Sequence, residues 1–139
     1  MRFLTVLVLM IGMIVPAAAQ ELMSVKQARV AALAGEVVLI DIRTPEEWKK
    51  TGLPDVAHAL DMRSEKFIDG LKRLMETNPG VRIAMICATG GRSSFVAKAL
   101  KEHGVAIVNV REGMFGSADG PGWLKQSLPV RTPDEPRVE

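Results

Sequence analysis

The sequence predicts an α/β protein built on a mostly parallel sheet. Three observations carry that reading. Short apolar runs rich in β-branched residues recur at residues 37–41, 81–86 and 105–110. Helical patterns lie between them, and each opens on a capping signal: Ser24 with Gln27, Thr44 with Pro45 and Glu47, Ser64, and Ser93 or Ser94. Strands that alternate with helices pair in parallel and carry the helices on their faces.

Residues 1–19, MRFLTVLVLMIGMIVPAAA, read as a secretory signal peptide. Arg2 is the positive n-region, residues 3–15 are apolar, Pro16 breaks the run, and Ala17 and Ala19 are small enough for cleavage before Gln20. The run is short for a transmembrane span. Cleavage removes Arg2, so the formal charge falls by one from +2. A periplasmic location is expected, with no membrane association after cleavage.

Ser24 and Gln27 form a capping box for a helix reaching about Ala34, and Gly35 ends it. Residues 37–41 are the first buried strand, and Asp41 and Arg43 lie at its polar end. Thr44, Pro45 and Glu47 start a short helix whose Trp48 faces the core. A short strand is expected around residues 57–60. Ser64 then caps a helix with an apolar stripe of Phe67, Ile68, Leu71, Leu74 and Met75. Asn78-Pro79-Gly80 turns the chain into the central strand at 81–86. A further helix places Phe95, Val96, Ala99 and Leu100 at helical spacing, with His103 in its last turn and Gly104 as its stop. Residues 105–110 form the last buried strand. Residues 20–130 make one domain. The polar, Pro-containing tail at 131–139 reads as disordered.

The chemistry concentrates where the central strand meets the next helix, at Cys87-Ala88-Thr89-Gly90-Gly91-Arg92-Ser93. Cys87 is the only cysteine. A lone cysteine is more often a small buried hydrophobe than a reagent. This one precedes a helix N-terminus, where backbone N–H groups lack internal partners and the dipole favours negative charge. A thiolate there gains both effects. The paired glycines let successive N–H groups turn toward one anion. The stretch therefore describes a nucleophile in an anion cradle. Arg92 either binds an anionic substrate or braces the loop through a carboxylate. Thr89 offers a hydroxyl. Asp41 and Arg43 are expected to brace the loops beside the site. The chain has one Cys and two His without ligand spacing, so no disulfide framework, metal or cofactor is implied. Aromatics are few and no basic stripe exists, which argues against a nucleic-acid partner.

Three stretches, at residues 37–62, 87–93 and 108–130, resemble the rhodanese (sulfurtransferase) family. The resemblance implies a five-stranded, mainly parallel sheet flanked by helices on both faces. It also implies sulfur transfer: Cys87 takes the outer sulfur of a small anionic donor such as thiosulfate. The persulfide passes it to a thiophilic acceptor, either cyanide or a thiol, a protein thiol included. Backbone N–H groups of Ala88 to Ser93 would stabilise the persulfide. The sequence departs from the family at residues 51–57, where the usual His before Pro is missing and one residue is added. It departs again at Glu112, where many members carry Gly. Two other readings stand beside this one. The chain could be a persulfide carrier or docking module for a partner protein. It could also be a same-fold phosphatase or arsenate reductase. The latter place five residues between Cys and Arg, and here four intervene.

Overall fold

The computed structural model describes residues 20–139. The signal peptide expected at residues 1–19 lies outside them. Five parallel strands form the main sheet: β1 (Leu22–Met23), β2 (Val37–Asp41), β4 (His58–Ala59), β5 (Arg82–Ile86) and β6 (Ile107–Val110), in the order β1-β6-β5-β2-β4. The chain steps outward from β2 to β4, then returns to β5 and proceeds the other way to β6. The strand order therefore reverses between β2 and β5. A crevice opens at such a switch point, beyond the carboxyl ends of the strands.

Strand alternation divides the core into two layers. Val37 and Leu39 on β2, Ala84 and Ile86 on β5, and Val108 and Val110 on β6 face α1 (Val25–Leu33) and Trp123 of α5 (Gly122–Lys125). Val38, Ile40, Ile83, Met85 and Ile107 face α3 (Phe67–Thr77) and α4 (Gly91–Glu102). Helices thus cover both faces, as expected. Burying an aliphatic side chain of this kind contributes about 1.5–3 kcal/mol. Cys87 belongs to the α3–α4 layer, two residues beyond Met85. No helix among the described residues is long and apolar enough to cross a membrane.

Both predicted capping boxes form. Ser24 Oγ accepts from Gln27 N, and Ser24 N donates back to Gln27 Oε1. Thr44 and Glu47 do the same for α2 (Pro45–Thr51), and Trp48 is buried. Two details of the later helices need correction. Ser64 does not cap α3: the helix begins at Phe67, and Ser64 Oγ instead accepts from Lys66 N in the preceding turn. Ile68 and Met75 are exposed, because only Phe67, Leu71 and Leu74 of the stripe reach the sheet. Helix α4 buries Val96, Ala97 and Leu100 against the sheet and leaves Phe95 in solvent.

The tail is another difference. Residues 131–139 read as disordered by composition, yet the structure lays them along the domain. Strand β7 (Val130–Arg131) pairs antiparallel with β3 (Leu53–Pro54). Arg131 Nη2 donates to Ala57 O at 2.8 Å, and Val138 N donates to Asp55 O at 2.9 Å. The departure at residues 51–57 is absorbed nearby: the Asp55 carboxylate is buried and pairs with Arg29 of α1 at 2.7 Å.

Candidate active site

Cys87 follows the last residue of β5 and is 1% exposed. Three groups of its own loop reach the sulfur. Gly90 N lies 3.2 Å from Sγ, Ser93 N 3.4 Å and Ser93 Oγ 3.3 Å. These are the members of the Ala88–Ser93 cradle that touch the unmodified thiol. Two are N–H donors and the third is a hydroxyl that can donate or accept; all three are neutral, so none ties the sulfur into an ion pair.

The loop geometry depends on Gly90, not on a serine cap. Helix α4 begins at Gly91, and its N-cap is Gly90 in the left-handed region (φ 88°). This corrects the expectation that Ser93 or Ser94 caps the helix. Ser93 lies inside the first turn, and its hydroxyl is drawn to the sulfur and to Gly90 O. A side chain at Gly90 would also run into the Arg111 carbonyl. The loop after β6 closes over the cradle from the far side. Met114 N donates to Cys87 O and Phe115 N to Ala88 O, both at 2.9 Å. Gly113 lies so close to Ala88 O that no Cβ fits there.

Arg92 is engaged by Glu47. Its Nη1 and Nη2 donate to the two carboxylate oxygens at 2.8 and 2.6 Å. That fork holds the Glu47 carboxyl down at about 2. Of the two readings of Arg92, this is the geometry of the brace, and it ties the start of α4 to α2. Asp41 and Arg43 form a second fork and are both fully buried. Arg43 Nε and Nη2 donate to the carboxylate at 2.7–3.1 Å, while Nη1 reaches Thr51 Oγ1 and Nη2 reaches Gly52 O. Burial pushes the Asp41 carboxyl up, and the Arg43 bonds pull against it. This pair locks the end of β2 to the end of α2 and does not face the sulfur as a ligand. Thr89 and Gly91 are exposed on the loop.

Two buried polar residues near the site escaped the sequence reading. Glu112 was visible only as a departure from a family pattern. Its carboxylate accepts from Val25 N, Gly122 N and Gln126 Nε2, at 3.2, 3.0 and 2.7 Å. It thereby anchors the loop after β6 to the starts of α1 and α5. Asn109 sits on β6, 1% exposed, with Nδ2 directed at Gly90 O. Its signal was available: it is the one polar residue in an apolar strand, VAIVNV.

The family model for the Rhodanese-like domain matches residues 24–118. The chain belongs to the rhodanese-like family. Solved structures of this fold agree. Rv0390 from M. tuberculosis superimposes with a TM-score of 0.63, at 24% identity over 82% of this chain and 98% of that one. The polysulfide-sulfur transferase homodimer from Wolinella succinogenes has a TM-score of 0.55, at 27% identity over 84% of this chain and 81% of that one. Among sequences, the uncharacterized protein RP600 of Rickettsia prowazekii is 27% identical over 117 residues, which span 79% of this chain and 95% of its own. Sulfur transfer is thus the chemistry of the family to which this rhodanese-like domain belongs.

Proposed function

We propose that the protein is a sulfurtransferase that carries sulfane sulfur on Cys87. The observation that supports this most is the convergence of Gly90 N, Ser93 N and Ser93 Oγ on one sulfur at 3.2–3.4 Å. The Cys87 thiolate attacks the outer sulfur of thiosulfate. The donor's S–S bond breaks, sulfite leaves with the electron pair, and a persulfide anion remains on Cys87. A thiolate or cyanide then attacks the outer sulfur and releases the Cys87 thiolate, yielding a new persulfide or thiocyanate. Loop dipoles hold the negative charge in both directions. A protein thiol fits the acceptor role as well as a small one, so a dedicated carrier is the second form of the same chemistry. The phosphatase reading has less support: Glu47 engages two of the Arg92 N–H groups, and four residues, not five, separate Cys87 from Arg92. The composition of residues 1–19 supports action in a bacterial periplasm, and N-terminal sequencing of the exported protein tests that against an uncleaved Met1.

The deciding experiment treats the protein with thiosulfate and reads its intact mass. One added sulfur atom, lost again to cyanide as thiocyanate, is the expected result. Hydrolysis of aryl phosphates without any mass gain would overturn the proposal. Fast turnover with cyanide marks an enzyme, and a long-lived persulfide with slow turnover marks a carrier.

A further inference from the structure

The carbonyl of Gly90 is contested. Ser94 N approaches it at 3.1 Å, Ser93 Oγ at 3.2 Å and Asn109 Nδ2 at 3.5 Å. A carbonyl oxygen has two lone pairs. Ser94 N takes one as a helical bond of α4. The other is left to Ser93 or to Asn109. Ser93 has a single hydroxyl proton and a second acceptor within reach, Cys87 Sγ at 3.3 Å.

Asn109 has no such choice. It is 1% exposed in an otherwise apolar strand, and its Oδ1 has no partner among the described residues. Turning the amide over would set two acceptors, Oδ1 and Gly90 O, against each other. Donation to Gly90 O is what this side chain is placed to do.

We propose that Asn109 is a positioning residue that turns the Ser93 hydroxyl toward the sulfur. This rests on the reading of Cys87 as the sulfur-bearing nucleophile. In the thiol state, Sγ–H donates to Ser93 Oγ and the Ser93 proton goes to Gly90 O. When Sγ ionises, its proton passes to water. The Ser93 hydroxyl then rotates about its Cβ–Oγ bond and donates to the sulfur, and Asn109 Nδ2 fills the lone pair that Ser93 vacates. Removing the amide leaves Gly90 O competing with the sulfur for that one proton. The ionised sulfur or persulfide is then held chiefly by the Gly90 and Ser93 N–H groups.

The test is a double-mutant cycle of Asn109→Leu and Ser93→Ala. It is read by the ultraviolet absorbance of the thiolate and by the rate of iodoacetamide alkylation near neutral pH. Cys87 is the only thiol, so both signals report on it alone. Asn109→Leu should lower the alkylation rate on the order of tenfold, the weight of one hydrogen bond to a charged group. Ser93→Ala should do likewise, and in the Ser93→Ala background Asn109→Leu should add nothing. Equal losses from Asn109→Leu in both backgrounds would overturn the proposal, because a merely structural role is indifferent to Ser93. Should Asn109→Leu fail to fold, nitrogen-labelled wild type decides: the Asn109 side-chain amide proton should move downfield as Cys87 ionises, and an unmoved resonance overturns the assignment. Thiosulfate uptake by the wild type is measured in parallel. Coupling without uptake sinks the sulfurtransferase reading and leaves Asn109 its role. Uptake without coupling does the reverse.

Discussion

Two buried polar sites stand side by side at the carboxyl ends of neighbouring strands. Asp41 on β2 is in register with Ile86 on β5, and Cys87 is the next residue along. Both sites are sealed, at 0% and 1% exposure. They treat negative charge in opposite ways. Asp41 meets a full guanidinium in a bidentate fork, and every Arg43 nitrogen is committed to a neighbour. Cys87 meets two amide N–H groups and a hydroxyl. An ion pair fixes a charge where it is. Neutral dipoles tolerate a charge that comes and goes, as the proposed sulfur transfer requires. The difference separates a strut from a reagent, although the two groups sit on adjacent strands of one sheet.

The largest expected effect removes the reagent. Cys87→Ser should lose all sulfur uptake from thiosulfate while keeping its urea midpoint close to that of the wild type, since a serine oxygen is a poor nucleophile and cannot form a persulfide. Residual transfer in that variant would break the comparison at its functional end. The next removes half the strut. Arg43→Met leaves a buried carboxylate unpaired, so urea unfolding should show a loss of about 3–5 kcal/mol. Adding Asp41→Leu should recover most of it, because a buried pair replaced by apolar groups costs little. No recovery would mean that the pair does more than neutralise itself.

The smallest effect sharpens the comparison at the half-exposed brace. The Glu47 carboxyl titrates at about 2 in the fold, below its ordinary 4.5, chiefly through the Arg92 fork. A depressed carboxylate stabilises the fold above its unfolded value and loses that contribution as pH falls through the folded one. The side chains are 34% and 30% exposed, so solvent screening keeps the contribution below about 1 kcal/mol. Wild type should therefore exceed Glu47→Gln in stability near neutral pH, and the gap should close between about pH 5 and 2. Urea titrations across that range check it. A gap independent of pH would show that Glu47 is not what holds Arg92.

Legibility in the sequence followed the range of the interaction. Local signals read well: both capping boxes, strand β2, and the Cys87 loop placed between strand and helix. Long-range ones did not. The tail is polar by composition, and its partners Asp55 and Ala57 lie some distance back along the chain, where no local pattern points to them. Ile68 and Met75 share the spacing of Leu71, but the sheet meets only a narrower strip of α3. Ser93 looked like a cap because serine usually serves there. Its hydroxyl instead lies between the sulfur and Gly90 O, and Gly90 took the left-handed position at the cap. Arg92 was recognised as important, with two readings open. The Glu47 fork supplies what spacing alone did not: a partner contributed by another helix.

The depth of Cys87 also bears on oxidation. Two sulfur atoms form a disulfide only at about 2 Å. A thiol lying beneath its own loop cannot meet the equally covered thiol of a second copy unless both loops open. No second cysteine exists in the chain to intervene. Covalent dimers are therefore kinetically disfavoured. The outer sulfur of a persulfide extends one bond further out. In the proposed transfer, an acceptor then meets that outer sulfur first, while Sγ stays beneath its loop.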